Sequence, residues 1–528
     1  MHQHPTAILT RLRQLCPDWC VGVAGRNILL HHLQTILSTP EHAGLAALVR
    51  DIAAWRIQLF PWDLQSTHLY LPIKAHSAPC PSHPRLPPAI IPSDDPTRSM
   101  QSIGAQDPES ITLFWRKQPR ASILDPVLIS ESCLFALQRG ERDLVDMILE
   151  CQGLERNHPV ILHLRAVRAF YFEPPETTLS QISVLPDNFS WLRTYLRSEI
   201  MIRHDKNQSI KNLISLWREM PWHVNLTLKL HDLLHPGPHP AHPGSDTAVC
   251  IYSWNNADLL KQTLHSLSQS NLGAASVLVL DNGSHDHTPD VISTLTDLLG
   301  QRLKTYRLPV NIGAPAARNW LLRHPEASCF RNIAFVDDDV IVPREWLGAL
   351  IARKQSAPRH TVVGCRIMNQ QPQESMQMAD VNLLNPTSDG DFLLANTGVG
   401  ELNMGLHAYS RPCLSVTGCC HLLDRQHAVD LGGFDLRFGP SQFDDFDLDL
   451  RNALHGGHAI FAGQTAIRHC QRSSLAQADS EAKREHLFGN RIKLNTKFSP
   501  EQKAELMRRN HELLWNDLLA KTRALENA

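Results

Sequence analysis

No run of about 18 apolar residues occurs in the chain, so nothing in it has the length of a membrane-spanning helix. A surplus of charge is missing too. Lys and Arg number 51 against 53 Asp and Glu, a net charge of −2, which removes the case for nucleic-acid binding through bulk charge. The twelve cysteines are scattered. Their nearest groupings, Cys16/Cys20 and Cys419/Cys420, lack the paired C-x-x-C spacing of a zinc site and imply no disulfide framework. Neither G-x-x-x-x-G-K-[ST] nor a G-x-G-x-x-G after the first strand is present, which excludes the common glycine-rich phosphate cradles. The opening Met-His-Gln-His-Pro-Thr has no charged and then apolar leader, so a cytoplasmic protein is expected, with peripheral contact to a membrane surface still compatible. What the chain does have is material for two or three domains: 528 residues, 42% apolar and 20% charged.

Helical spacing fills residues 1–70, with Ile8, Leu12 and Leu15 on one stripe and Ile28, Leu29, Leu33, Ile36 and Leu37 on the next. Prolines at 72, 79, 81, 84, 87, 88, 92 and 96 then forbid regular structure and make 71–108 an irregular connection. Helical spacing returns over 109–234. Leu128, Cys133, Leu134 and Leu137 run into Gly140, and Leu144, Met147 and Ile148 into Gly153, as in antiparallel helix pairs. No fixed period marks a repeat, so 1–70 and 109–234 read as one all-α packing or partner-binding domain. The stretch 235–245, His-Pro-Gly-Pro-His-Pro-Ala-His-Pro-Gly-Ser, is a linker by composition. Residues 246–475 alternate strand and helix, the pattern of an α/β domain with a mostly parallel mixed sheet, and 476–528 return to helix.

The strands expected in that domain end in polar clusters. Thr247–Tyr252 leads into Ser253-Trp254-Asn255, and Ser276–Leu280 into Asp281-Asn282-Gly283-Ser284. Leu303–Val310 leads into Asn311-Ile312-Gly313 and a helix carrying Arg318 and Asn319, and Ile333–Val336 into Asp337-Asp338-Asp339. The helix between the second and third strands starts at Thr288-Pro289 and is expected to bury Val291, Leu295 and Leu298. In an open α/β sheet such strand ends converge on one crevice. Three adjacent carboxylates repel each other, which is tolerable at a sheet edge where a hard cation takes up the charge. On an extended chain Asp337 and Asp339 share a side and reach one Mg2+ or Mn2+. Alone, an acidic triplet is more often a solvated turn. Here Asp281 offers a carboxylate to a base N–H and Trp254 a stacking face, so the clusters together describe a nucleoside-diphosphate site. Downstream, Asp444 and Asp445 open a helix with Phe446, Leu450 and Leu454 on its stripe. Acids there cap the helix, at roughly 0.3–1 kcal/mol, or one of them serves as general base toward an acceptor hydroxyl. His469, after the strand-like 459–462, is a further candidate metal ligand, although a lone histidine is more often structural.

Taken in order, five segments of residues 247–472 resemble the family 2 glycosyltransferases of the GT-A fold. Tyr252-Ser253-Trp254-Asn255 is similar to the family's Pro-Thr-Tyr-Asn, and Asp281-Asn282-Gly283-Ser284 to its Asp-Asp-Gly-Ser. Asn311, Gly313, Ala317, Arg318 and Asn319 match its Asn-x-Gly and Ala-Arg-Asn, and Asp337-Asp338-Asp339 its metal-binding D-x-D. Gly432-Gly433-Phe434-Asp435 with Asp444, Asp445 and Arg451 resembles its Gly-Gly-Phe-Asp and Glu-Asp-x-Asp-Leu-x-x-Arg segment. The resemblance implies a GT-A-like (nucleotide-diphospho-sugar transferase) domain, a nucleotide-sugar donor with UDP as the default, Mn2+ or Mg2+, and inversion at the anomeric carbon. It implies Tyr252, Trp254, Asn255, Asp281, Asn311, Gly313, Arg318, Asp337 and Asp338 on the nucleotide side. It implies Asp339, Asp337 and His469 at the metal, and Asp445 as catalytic base with Asp444 beside it.

The chain departs from the family at Tyr252, where a proline is usual, and at Asp444, where a glutamate is. The Gln-x-x-Arg-Trp of processive members is missing, since Gln471-Arg472 precedes Ser473-Ser474. A single hexosyl or N-acetylhexosaminyl transfer to a hydroxyl of a saccharide, glycolipid or protein is therefore expected, of the kind used in bacterial glycan biosynthesis. Asn369 to Pro412 fits no shared motif and is where acceptor specificity is expected. The alternatives are a catalytically silent sugar-nucleotide-binding or scaffolding protein, against which Asp339 and Asp445 argue, and metal-dependent nucleotidyl transfer.

Overall fold

The structure is a computed structural model that describes residues 4–39, 45–62, 108–117, 126–151, 155–370, 375–385, 390–470 and 481–527. It divides into two compact units, Met1–Leu234 with Gly400–Leu406 and Thr522–Ala528, and His235–Val399 with His407–Lys521.

The described regular elements of the first unit are α-helices and 3-10 turns, with no strand among its described residues; the helices Ala46–Leu59 and Val224–Leu234 are buried on all sides over 52–59 and 224–230, Arg56, Gln58 and Lys229 included. The buried stripe is centred one residue away from expectation at the start: Leu9, Leu12, Leu29, Leu33 and Ile36 have no exposure, while Ile8, Leu15 and Leu37 are half-buried. Helix Pro126–Arg139 stops at Gly140, whose φ of 71° lets the chain reverse into helix Arg142–Cys151. The proline-rich connection, from 71 through 107, and Gly153 lie outside the described residues.

The second unit is built on a ten-stranded mixed sheet. Its strands are β1 (Thr247–Ser253), β2 (Ser276–Asp281), β3 (Leu303–Arg307), β4 (Asn332–Val336), β5 (Val340–Ile341), β6 (Thr361–Asn369), β7 (Met376–Met378), β10 (Ser410–Cys413), β11 (Cys420–Asp424) and β12 (His458–His469). A separate hairpin pairs β8 (Val381–Leu384) with β9 (Leu393–Asn396). The sheet order is β10-β12-β6-β11-β4-β1-β2-β3, with β5 on β12 and β7 on β6. β4, β1, β2 and β3 run parallel, so Ser253 stands beside Asp281 and Val336 delivers Asp337 to the same edge. β11 runs antiparallel to β4 and starts opposite Val336, which carries the preceding Thr417-Gly418-Cys419 to that edge as well. Val249, Ile251, Val277, Val279, Ala334 and Val336 pack in one core with Leu260, Leu264, Trp346 and Leu350 from the flanking helices.

Three local expectations are corrected. β3 ends at Arg307 rather than Val310: the Leu308 N–H makes the last bond to β2, at the Asp281 carbonyl, and β2 itself stops at Asp281. Helix Thr288–Leu299 buries Val291 as expected, with Ile292 and Leu299, whereas Leu298 is 54% exposed; the side chain of Leu295 lies outside the described residues. β12 does not stop at Ala462: a bulge between Ala462 and Ala466 absorbs the irregularity and the strand continues to His469. The 235–245 stretch has no helix or strand, and Ala241 donates to the Gly348 carbonyl within this unit. Among the described residues no helix is long and apolar enough to cross a membrane.

Candidate functional site

Each polar cluster sits on a turn that the sequence forces just past a strand. After β2, Gly283 has a φ of 79°, and a Cβ there would stand 2.4 Å from the Val310 carbonyl carbon, so only glycine fits. That turn presents Asn282, whose Oδ1 accepts the Ile312 N–H at 3.1 Å and whose Nδ2 donates to Asn311 Oδ1 at 2.9 Å. Asn311 Oδ1 also accepts the Gly313 N–H at 2.8 Å, which closes the loop after β3. Asp281 itself is buried, with Oδ1 accepting the Ser284 N–H at 2.8 Å and Oδ2 lying 3.1 Å from Arg307 Nε. After β1, Asn255 adopts a φ of 51° and braces the neighbouring loop by accepting the His285 N–H at 2.7 Å, while Trp254 stays 49% exposed.

The acidic triplet splits as an extended chain dictates. Asp338 turns to one side, where it accepts a hydrogen bond from Ser253 Oγ. Burial beside Asp339 pushes its carboxyl up to about 7, against the restraining hydrogen bond from Ser253. Asp337 and Asp339 share the other side with His469, their ligand atoms all within 4.8 Å of one another. His469 Nε2 is 2.8 Å from Asp339 Oδ1 and 3.7 Å from Asp337 Oδ2. The protonation pattern of that ring follows from Gln377. Its Nε2 donates to the His469 carbonyl at 2.7 Å, which leaves Gln377 Oε1 to accept from His469 Nδ1–H, also at 2.7 Å. Nε2 is then the ring atom that faces the two carboxylates, donating its proton to Asp339 when the ring is charged and offering a lone pair to a metal when it is not. Burial alone would depress the imidazole, but the hydrogen bond and charge of Asp339, with Asp337 behind it, hold it above the usual histidine range. Such a triad requires a cation at its centre, whether a shared proton or a metal ion, and two carboxylates with an imidazole suit Mn2+ or a similar divalent ion.

The helix Asp444–Leu454 supplies the opposite wall. Gln442 and Phe443 both take positive φ, 78° and 72°, to swing its first residues into the crevice. Phe446 and Leu450 anchor it, packed with Leu494 and Leu506 of the C-terminal helices. The two acids divide. Asp444 points inward, buried, and takes a hydrogen bond from Arg318 Nη1 at 2.7 Å. Asp445 accepts the Gly418 N–H on Oδ2 and the Phe446 N–H at 2.8 Å on Oδ1. Arg318, also buried, joins the walls: its Nη2 lies 3.4 Å from Asp337 Oδ1 and 3.3 Å from the Gly418 carbonyl, and its guanidinium covers the Tyr252 and Phe434 rings. Burial pushes the Asp444 carboxyl up, and the Arg318 charge pulls it back.

Tyr252, Trp254, Asn311, Gly313, Arg318, Asp337, Asp338, Asp339, Asp444, Asp445 and His469 all line one crevice of about 580 Å3. Asn255 and Asp281 do not. They stand behind the wall and shape it through Ser284 and His285. Several lining residues carried no signal of their own in the sequence: Gln377, Met378, Asn396 and Val399, all from the motif-free stretch 369–412. A second hollow of about 950 Å3 runs past Trp320, Phe434 and Leu436, where Arg451 is paired with Asp447, Lys497 with Asp435 and Asp447, and Arg323 donates to the Gly432 carbonyl at 2.8 Å.

Residues 248–410 match the family model described as "Glycosyl transferase family 2". The O-antigen biosynthesis protein RfbC of Myxococcus xanthus is 27% identical over 241 residues, which is 45% of this chain and 18% of that protein, so the match spans less than a fifth of the relative's length. A solved structure of GalNAc-T7 with UDP, GalNAc and Mn2+ aligns over 43% of both chains at 17% identity and a TM-score of 0.36. The mannosyltransferase PcManGT of Pyrobaculum calidifontis, in complex with GDP-Man and Mn2+, aligns over 63% of this chain and 85% of its own at 16% identity and a TM-score of 0.36. TarS of S. aureus aligns over 49% and 42% at 18% identity and a TM-score of 0.32.

Proposed function

With residues 248–410 assigned to glycosyl transferase family 2, we propose that the chain is a metal-dependent, inverting glycosyltransferase that moves one sugar per encounter from a nucleoside-diphosphate donor to an acceptor hydroxyl. The observation that carries this reading is the meeting of the Asp337, Asp339 and His469 ligand atoms with Asp445 on the walls of one crevice. UDP is the default nucleotide, a hexosyl or N-acetylhexosaminyl group the cargo, and the acceptor a saccharide, a lipid-linked glycan or a protein.

Asp337, Asp339 and His469 would hold Mn2+ or Mg2+, and the bound ion neutralises charge that builds on the departing diphosphate. Trp254 stacks on the base at the exposed mouth, with Tyr252 behind it and Asn282 and Asn311 fixing the loop around the nucleotide. Asp445, oriented by the Gly418 and Phe446 N–H groups, takes the proton of the acceptor hydroxyl. The freed oxygen attacks the anomeric carbon opposite the diphosphate. The new C–O bond forms as the old one breaks, and the products are an inverted glycoside, a nucleoside diphosphate and a proton on Asp445. Asp444 acts one step back, by holding Arg318 against the wall. Gln377, Met378, Asn396 and Val399 form the acceptor side. A cytoplasmic setting is the compatible compartment, since buried thiols such as Cys250 and Cys365 are free.

The test is sugar transfer and donor hydrolysis with Mn2+ or Mg2+ over a panel of nucleotide sugars. Asp445→Asn should lower kcat by about 100- to 10,000-fold, the usual range for a lost general base, and Asp339→Ala should abolish the response to added metal. Activity indifferent to both substitutions removes the assignment. Release of a nucleoside monophosphate would replace it with nucleotidyl transfer.

A further inference from the structure

A second group of metal-ligand side chains lies in the helical unit, outside everything assigned above. Cys16 follows the helix Pro5–Leu15, Asp18 sits in the next turn, and His32 lies on the buried face of the helix Arg26–Leu37 beside Leu29, Leu33 and Ile36. All three side chains have no solvent exposure. Their ligand atoms form a closed triangle: Cys16 Sγ to Asp18 Oδ1 is 3.0 Å, Cys16 Sγ to His32 Nδ1 is 3.3 Å, and His32 Nδ1 to Asp18 Oδ1 is 3.5 Å. Bond lengths of about 2.3 Å to sulfur and about 2.0–2.2 Å to nitrogen and oxygen, set at tetrahedral angles, give ligand-to-ligand edges of roughly 3.3–3.6 Å. The His32–Asp18 edge falls in that range, while the two sulfur edges, which should be the long ones at about 3.6 Å, stand at 3.0 and 3.3 Å and would open by about 0.3–0.6 Å around an ion.

His32 Nε2 lies 3.0 Å from the Gly22 carbonyl, an acceptor only, so Nε2 carries a hydrogen, and Nδ1 is the ring atom that faces the sulfur and the carboxylate. Without a metal, a thiol proton and an imidazolium proton directed at Asp18 fill the triangle; a divalent ion at its centre would replace both. The same carbonyl contact is the outer-shell arrangement that orients a metal-binding imidazole. Around the turn that carries Gly22, the Asn225 amide oxygen accepts the Val23 and Ala24 N–H groups at 2.8 and 3.0 Å, which fixes the carbonyl in place. The second oxygen of Asp18 lies 3.1 Å from His31 Nε2, so the carboxylate is oriented from outside as well. Charge permits the exchange: a thiolate, a carboxylate and a neutral imidazole around a divalent ion sum to zero, as do a thiol, a carboxylate and an imidazolium without one, so binding adds no net buried charge.

We propose that Cys16, Asp18 and His32 bind a structural Zn2+ ion that ties the first two helices together, with His31 as the support of Asp18 and a water in the fourth position. The site uses one cysteine, which is why a search for paired C-x-x-C spacing passes over it.

The test uses the full chain without an affinity tag, carrying Asp339→Ala so that the crevice contributes no bound metal. Elemental analysis after gel filtration should find about one zinc per chain, and Cys16→Ser or His32→Gln should reduce it to below about a tenth. Exchange with Co2+ should produce a thiolate-to-cobalt charge-transfer band in the Asp339→Ala chain that is absent once Cys16 is serine. If the serine variant fails to fold, the cobalt spectrum of the Asp339→Ala chain still decides. Zinc below a tenth of an equivalent with no thiolate–cobalt band, or a band that survives Cys16→Ser, overturns the proposal and leaves a hydrogen-bonded knot.

Discussion

Replacing Arg318 by methionine tests whether the two walls of the crevice are held together by one buried charge. The arginine and Asp444 are both nearly inaccessible and 2.7 Å apart. With roughly 4 Å between charge centres and an effective dielectric constant of about 20, their attraction is worth about 4 kcal/mol. Losing one partner of a buried pair typically costs about 3–5 kcal/mol, because the other charge is left without compensation. The contacts to Asp337, the Gly418 carbonyl and the two aromatic rings are lost too, so Arg318→Met should destabilise the α/β unit by about 3–5 kcal/mol at pH 7. Adding Asp444→Asn should restore part of this, giving a coupling of about 2 kcal/mol or more in a double-mutant cycle read by urea unfolding. The pH arm has a definite sign. In the single variant burial holds the Asp444 carboxyl up with no arginine opposing it. The folded state therefore keeps a proton that the unfolded chain releases, and the penalty shrinks as the pH falls from 7 toward 5. A loss below about 1 kcal/mol, strict additivity in the cycle, or a penalty that grows on acidification would each refute the reasoning.

Three further outcomes are expected. Trp254→Ala should raise KM for the donor by about tenfold with little change in kcat, since an exposed stacking face binds the ground and transition states alike. Asp380, fully buried, takes two hydrogen bonds from Arg411 at 2.6 and 3.1 Å, so Asp380→Asn should cost about 3–5 kcal/mol by urea unfolding. In the wild type that pair holds the Asp380 carboxyl below the usual range despite its burial, so its stabilisation is present at neutral pH and fades on acidification through the folded value. Glu401 has the opposite sign: burial pushes it up to about 7, so stability should fall between pH 4.5 and 7 by at most about 3 kcal/mol, a slope that Glu401→Gln removes in thermal unfolding.

Much of the α/β unit was legible because its signals are local. Alternating apolar runs and the polar residues that end them place β1, β2 and β4, and the two positive-φ residues before Asp444 lie where the acids begin a helix. What stayed hidden depends on pairing across distance. β6 and β11 are apolar stretches with no local mark of direction, yet the antiparallel run of β11 brings Gly418 to Asp445. Arg307 is an ordinary surface arginine in sequence and becomes the counter-charge of Asp281 only once β3 pairs with β2. A carboxylate pair at a helix start says nothing about which member turns inward. The buried Arg318 decides that, and it comes from a helix more than a hundred residues earlier. Cys16 and His32 meet for the same reason: one ends a helix and the other lies mid-helix, with no motif spacing between them.

Gln377 sits on the short strand β7, in the stretch to which the proposed function gives the acceptor, and it also holds Nδ1 of His469, which leaves Nε2 to face the carboxylates. Under the proposed function, exchanging that stretch to redirect acceptor choice would also change how the His469 cluster holds a cation. A chimera that seems to have lost its new acceptor should first be titrated with manganese.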